Sequence, residues 1–189
     1  MLRSSCKPET MKLRVLLALL VLGGLSTFSA QRSEAQQARG ATAAPVVEAN
    51  LAQLMQGILF PNSNVVFFAQ SQNPADVPPA KDPSTATDPL ADSYGKWEAV
   101  ENSSLAIAEA ANLLTIPGRK CSNGLAVPLG SPDWAKFVQG LRDAGMKAYK
   151  AAQSKDMDKV LDAADTMTTA CANCHDKYRE KPTLAGRCK

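Results

Sequence analysis

The amino-acid sequence predicts an all-α protein, a four-helix bundle whose helices run up-down-up-down. Three observations predict this fold. Apolar residues recur at three- and four-residue spacing in four segments, no segment shows the alternation typical of a strand, and polar stretches with Pro or Gly separate the four segments. A chain of 189 residues is long enough for one such domain with a hydrophobic core.

Residues 1–30 carry the pattern of a secretory signal peptide, with Met11 as the expected translation start. Two basic residues precede an apolar run from Val15 to Leu22, and small residues follow that run. The run falls short of the roughly 20 residues that span a bilayer, so we expect a cleaved signal and no stable membrane anchor. The exported chain is expected in the periplasm, which is an oxidising compartment.

The folded domain is predicted at 45–189, after a flexible leader at 31–44 that lacks periodicity. Pro61 is expected to kink or interrupt the first helix of this domain. A Pro-rich polar stretch from 73 to 91 suits a long crossover to the second helix. The first helix is predicted from a stripe of apolar residues, namely Val47, Leu51, Leu54, Ile58, Val65 and Phe68.

The second helix is predicted at about 92–116, with Pro117 and the glycine after it as the stop. The third is predicted to begin at Pro132, with Ser131 as its cap, and to run to about Ala152. The two apolar stripes are Trp97, Val100, Leu105, Ala108, Ala111 and Leu114, and then Trp134, Phe137, Val138, Leu141, Ala144 and Ala148.

The fourth helix is predicted to begin after a capping Ser154 and to stop at Pro182. Asp156 and Asp158 would then lie in its first turn, where the helix dipole favours acidic side chains. Its inward stripe is Met157, Val160, Leu161, Ala164, Met167, Cys171, Cys174, His175 and Tyr178.

The charge distribution excludes nucleic acid as an expected partner. The net charge is +3, but four of the 21 basic residues and only one of the 18 acidic residues lie in residues 1–30. The remainder is balanced and has no basic stripe.

The fourth helix carries the sequence CANCH, in which Cys171 and Cys174 precede His175, the only histidine of the chain. Positions i, i+3 and i+4 share one helix face, so two thiols can form thioethers with haem vinyl groups while the imidazole ligates the iron. A thioredoxin-like motif would instead follow a strand at a helix N-terminus, and a zinc site needs four ligands. We therefore predict one covalent haem c, with His175 as an iron ligand.

Four helices with C-x-x-C-H in the last, followed by Tyr178 and Arg179, resemble the class II cytochromes c, the cytochrome c′ family. The resemblance spans about 45–181 and is most specific at CANCHDKYR. It implies that the two thiols are the haem attachment points and that His175 is the proximal ligand. It also implies that Arg179 lies beside the proximal imidazole, and a solvated cation at the helix end is the alternative for this residue.

The sixth iron position is open between two expectations. In low-spin members of the class, a methionine in a similar "LM" setting on the first helix is the sixth ligand, and Met55 matches that position. In high-spin members an apolar residue of that helix blocks the distal face, and Met55 would then be a packing residue. Met157 and Met167 share the helix of the proximal histidine, and Met146 lies off the apolar stripe of the third helix.

Cys121 and Cys188 follow the second and fourth helices, whose C-terminal ends lie at the same pole of an up-down-up-down bundle. An oxidising compartment then favours a disulfide between them, and two independent free thiols are the alternative.

These features predict a one-electron carrier that exchanges electrons with periplasmic redox proteins, and not an enzyme, because no acid–base or nucleophilic residues surround the motif. The alternative function is a five-coordinate haem protein that binds or scavenges nitric oxide or carbon monoxide. The resemblance also implies a homodimer formed through the first two helices. Four cations are candidates for the haem propionates, namely Lys96, Arg119, Lys120 and Arg142.

Overall fold

The computed structural model describes residues 45–189, and over this range the protein is all-α, with no strand. The predicted signal peptide and leader lie outside the described residues. Besides short 3₁₀ turns, residues 45–189 form four helices, which we number in chain order. They are α1, made of Leu51–Leu54, Met55–Leu59 and Phe60–Ser71, then α2 at Lys96–Leu113, α3 at Pro132–Ser154 and α4 at Met157–Tyr178.

Helix α1 begins with a capping box at Asn50. The Asn50 side chain accepts a hydrogen bond from the backbone N of Gln53, and the Gln53 side chain accepts one from the backbone N of Asn50, both at 2.9 Å. This exchange satisfies two backbone donors that the first turn cannot pair within the helix.

Pro61 does not end α1, but the helix changes its winding just before it. Residues Met55–Leu59 form a π-helical turn, and the backbone N–H of Phe60 bonds to the carbonyl of Met55. Proline lacks an N–H, and its ring crowds the carbonyl four residues earlier, that of Gly57. The wider π turn accommodates this conflict, so the predicted interruption takes the form of a local change in helix type.

Helix α2 begins at Lys96, four residues later than the sequence predicts, because the preceding segment folds into a tight loop. A Cβ on Gly95 would overlap the carbonyl oxygen of Leu90, so only glycine fits there. Leu90 is fully buried and anchors the long crossover, while its carbonyl accepts a hydrogen bond of 2.8 Å from Lys96 N. The helix also ends earlier than expected, at Leu113.

The caps of α3 and α4 differ from the predicted ones. Ser131 occupies the N-cap position of α3, but its side chain makes no capping bond and instead accepts a hydrogen bond of 2.9 Å from the Tyr178 hydroxyl. Ser154 still belongs to α3, where its hydroxyl donates to the carbonyl of Ala151. Asp156 caps α4 in its place, so the predicted Ser154 cap is wrong.

The core lies between the helices and is rich in small residues, which lets α2 and α3 pack closely. Trp134 is its largest fully buried side chain, and its indole N–H donates to the carbonyl of Leu114 at 3.1 Å. Phe68 and Leu161, which the sequence places in inward stripes, are exposed. Among the helices of the described range, none combines the length and apolarity needed to cross a membrane.

Helix ends that are distant in sequence contact one another. The start of α1 lies beside the segment after α2, the start of α3 lies beside the end of α2, and the end of α4 lies beside the start of α3. The contacting pairs are Leu51 with Lys120, Trp134 with Leu114, and Lys177 with Asp133.

The segment after α4 folds back along the protein and is fixed there. Cys188 forms a disulfide with Cys121, which confirms the predicted pairing over a separation of 67 residues. The backbone N of Cys188 also donates to the carbonyl of Tyr178 at 2.8 Å. The side-chain amide of Asn123 donates to the carbonyls of Leu184 and Arg187, each at 3.0 Å.

Candidate functional site

Cys171, Cys174 and His175 lie on one face of α4 and line the same cavity. All three side chains are half-buried. The helix continues through them and ends at Tyr178. The backbone N–H groups of Arg179 and Glu180 both donate to the carbonyl of His175. The regular winding of α4 therefore presents two thiols and one imidazole in one direction.

The cavity has a volume of about 750 Å³, within the usual range for small-molecule and cofactor sites. All four helices and the C-terminal segment contribute to its wall. Most of the wall is apolar or aromatic, and representative lining residues from α1, α2 and α3 are Leu51, Leu59, Phe67, Ile107, Trp134 and Leu141.

The two motif thiols are free in the structure. Burial raises the pKa of Cys171, and burial together with the neighbouring Cys171 raises the pKa of Cys174 to about 11. Both groups are therefore uncharged thiols at neutral pH, and the disulfide of the described residues is formed by the other two cysteines.

The surroundings of His175 favour the neutral imidazole, which is the form that binds metal ions. Burial is the main cause that lowers its pKa, and the adjacent Arg179 guanidinium lowers it further, while Glu180 and Asp176 oppose the shift. Arg179 Nη1 lies 3.3 Å from His175 Nδ1. The same guanidinium pairs with Glu180 at 2.9 Å, and its side chain is 57% exposed. Arg179 thus lines the cavity and also contacts solvent at the helix end.

Tyr178 connects the motif helix to α3. It is buried, its hydroxyl bonds to Ser131, and its ring packs edge-on against Trp134 at 5.2 Å and Phe137 at 6.2 Å. Edge-to-face pairs of this kind stabilise a packed aromatic cluster. The cluster holds the last turn of α4, and with it the motif, against the cavity wall.

Met55 lines the cavity from α1 and lies at the first position of the π-helical turn. Its side chain is partly buried. Met167 also lines the cavity but lies on α4 itself, eight positions before His175, while Met146 and Met157 do not line it. The structure thus brings all five predicted site residues to one cavity, from two helices and the residue that follows α4.

Arg187, which no sequence pattern singles out, also lines the cavity, from the C-terminal segment. Its Nε atom is buried and has no hydrogen-bond partner among residues 45–189. The available signal was its position next to Cys188, because the predicted disulfide brings that segment towards α2.

The four cations proposed for the haem propionates do not line the cavity. The Arg119 side chain donates to the carbonyls of Ala49 and Leu113, and the Lys96 ammonium donates to the carbonyl of Ala75. Arg142 bonds to polar side chains on the surface. Nothing in the structure brings Lys120 to the cavity.

The residues of the cavity fit a c-type haem. Two free thiols and a neutral imidazole share one helix face, the adjoining space has the size of a cofactor site, and its apolar wall suits a porphyrin. Within residues 45–189, no three His, Cys, Asp or Glu side chains cluster as metal ligands. This finding is compatible with a haem site, because the C-x-x-C-H motif supplies a single iron ligand, His175.

Comparisons of the chain with protein-family models, with curated proteins and with solved structures found no match. The resemblance to the class II cytochromes c therefore stays a prediction.

Proposed function

We propose that the protein is a periplasmic monohaem cytochrome of the class II type that acts as a one-electron carrier. One observation carries this proposal: two free thiols and the only histidine of the chain line an apolar cavity from a single helix face. The disulfide and the signal-peptide pattern support export to the periplasm, where redox proteins would be the partners.

Each site residue has a separate role in this proposal. Cys171 and Cys174 would hold the haem covalently, and His175 would provide an imidazole ligand to its iron. When bound, the haem iron supplies a one-electron couple between Fe(II) and Fe(III). The mostly apolar wall would reduce the contact of a bound haem with water, and the aromatic cluster around Tyr178 restrains the end of α4. A site that moves little during electron transfer needs little reorganisation.

We also propose that the four helices form an up-down-up-down bundle. Three contacts between helix ends support alternating helix directions. The start of α1 contacts the segment after α2, the start of α3 contacts the end of α2, and the end of α4 contacts the start of α3. The disulfide supports the same arrangement, because it joins segments that follow α2 and α4. In this topology the haem would be attached to the last helix of the bundle.

Met55 is the residue that we propose for the sixth iron position. It lines the cavity from α1, and it lies in a π-helical turn, a feature that is frequent at functional sites. The π turn changes which side chains of α1 face the cavity relative to a regular helix. A thioether at the iron would favour the low-spin state and a carrier function.

The test is the optical spectrum of the reduced, haem-loaded protein. We expect a sharp low-spin α band in the wild type and its loss in Met55→Ala, because the variant removes the sixth ligand. Met146→Ala is the matched control, since Met146 does not line the cavity, and it should keep the band.

Two results would contradict the proposal at different levels. A broad high-spin spectrum in the wild type would contradict Met55 ligation and favour the gas-binding alternative. Absence of a pyridine-haemochrome signal from the exported, folded protein would contradict haem attachment itself.

A further inference from the structure

Arg187 presents an unusual buried donor. Its side chain lines the cavity, and its Nε is buried without a hydrogen-bond partner among the described residues. No Asp or Glu of the described range lines the cavity, and none forms an ion pair with Arg187. A buried guanidinium donor without a partner is costly, so a ligand that brings a hydrogen-bond acceptor to this donor would be stabilised there.

The backbone of Arg187 is fixed on both sides. Its carbonyl accepts a hydrogen bond of 3.0 Å from Asn123, and its N–H donates to the carbonyl of Leu184 at 3.2 Å. The next residue, Cys188, is tied to Cys121 by the disulfide and to Tyr178 by a backbone hydrogen bond. The disulfide thus holds this arginine at the cavity wall.

The other cation of the cavity wall is Arg179, and it is already engaged. It pairs with Glu180 and lies against His175, at the side of the cavity where the motif lies. Arg187 is the cation of the wall whose guanidinium has no acidic partner in the described chain.

We propose that Arg187 binds a carboxylate of the cofactor, namely a haem propionate. This inference rests on the proposed function and adds the residue that recognises the acidic part of the haem. A guanidinium binds a carboxylate through up to two parallel, charge-assisted hydrogen bonds, which lysine cannot reproduce. The Cys121–Cys188 disulfide is then a positioning element for that contact.

The test compares two ligands on one protein. In the chain with Cys171→Ser and Cys174→Ser no thioether can form, so affinities for haem and for haem dimethyl ester can both be measured by optical titration. The ester lacks the carboxylates. We expect haem to bind about tenfold or more tightly than the ester, because a hydrogen bond to a charged group contributes at least that much.

Arg187→Gln and Arg187→Met, made in the same background, should lower this affinity ratio to near one. Lys189→Gln is the matched control, because it removes an equal charge from an exposed neighbour in the same segment and should leave the ratio unchanged. The ratio compares two ligands on the same variant, so a general loss of stability affects both affinities alike. Thermal unfolding of each variant identifies any that fails to fold.

The outcomes separate this inference from the proposed function. An equal ratio in the parent protein and in the Arg187 variants would overturn the carboxylate contact while leaving haem binding intact. If Lys189→Gln also lowered the affinity ratio of haem to its ester, the ratio would depend on net charge alone. That result would also overturn the carboxylate contact. Failure of both ligands to bind, together with no haemochrome signal from the wild type, would overturn both proposals.

Discussion

At the scale of single residues, Gly145 shows how closely α3 lies against α2. A Cβ at this position would lie 2.9 Å from the backbone N of Ala108 and 3.0 Å from the carbonyl oxygen of Ser104. Both atoms belong to helical backbone and cannot move independently of α2. The glycine is therefore required by the helix spacing and not by its own conformation.

We expect Gly145→Ala to destabilise the protein by roughly 1–3 kcal/mol, because the added methyl group forces the two helices apart. Gly140→Ala is the matched control on the same helix. A Cβ there meets nothing within 4 Å, so the higher helix propensity of alanine should stabilise the fold by about 0.5–1 kcal/mol. Urea unfolding of both variants measures the difference, and equal effects would show that the two helices do not restrict position 145.

The shared helix face of the motif residues was predictable from the sequence, whereas the residues that complete their surroundings were not. The spacing of Cys171, Cys174 and His175 defines one helix face wherever the helix lies. Arg187 carries no local pattern that marks it as a cavity residue. Its placement depends on a disulfide to a segment far away in sequence.

At the scale of elements, the N-terminus of α4 depends on one carboxylate. Asp156 accepts hydrogen bonds from the backbone N–H groups of Asp158 at 3.1 Å and Lys159 at 3.3 Å, and it pairs with the Lys159 ammonium at 2.9 Å. Hydrogen bonds from Lys159 are the main cause that lowers the Asp156 pKa below its ordinary value of 3.8. Stabilisation from this lowered pKa is therefore present above about pH 4 and is lost as the pH falls through the folded value.

We expect Asp156→Asn to retain the cap but to lose this pH dependence, since asparagine caps well and does not titrate. Asp156→Ala should lower the melting temperature at every pH, because it removes the cap. Melting temperatures at pH 7 and near pH 3 test the sign of this pH dependence. The difference in melting temperature between the wild type and the Asn variant should become smaller in acid. An advantage that stays constant between these pH values would exclude the carboxylate as its source.

Helix number and order followed from the apolar periodicity, but several boundaries did not. The sequence contains two suitable caps close together before α4. The choice of Asp156 over Ser154 depends on where α3 ends, at Ser154, with Lys155 as its left-handed C-cap at φ 52°. The start of α2 depends on Gly95 packing against Leu90. Such boundaries are decided by contacts outside the helix, which periodicity does not contain.

At the scale of the whole molecule, the Cys121–Cys188 disulfide closes a chain segment that includes α3 and α4. Cross-linking two residues 67 positions apart restricts the unfolded chain more than the folded one. The bond therefore stabilises the arrangement of the cavity wall without contributing to the motif itself.

We expect the double variant Cys121→Ser and Cys188→Ser to be less stable than the wild type by about 2–4 kcal/mol. Denaturant unfolding without reductant measures this difference. Reductant should lower the free energy of unfolding of the wild type to that of the double variant, and it should leave the free energy of the variant unchanged. If reductant lowered the stability of the variant by the same amount, the effect would not come from this bond.

The sequence by itself determined the helical class, the order of the helices and the face on which the two thiols and the imidazole lie. These properties follow from local periodicity, because an amphipathic helix records its buried side in the spacing of its own residues. Only the tertiary structure decided that Met55, in a π-helical turn, and Arg187, beside a disulfide, reach the cavity of the motif. Their meeting requires segments that are far apart in the chain to pack together, and no spacing within a single helix encodes that packing.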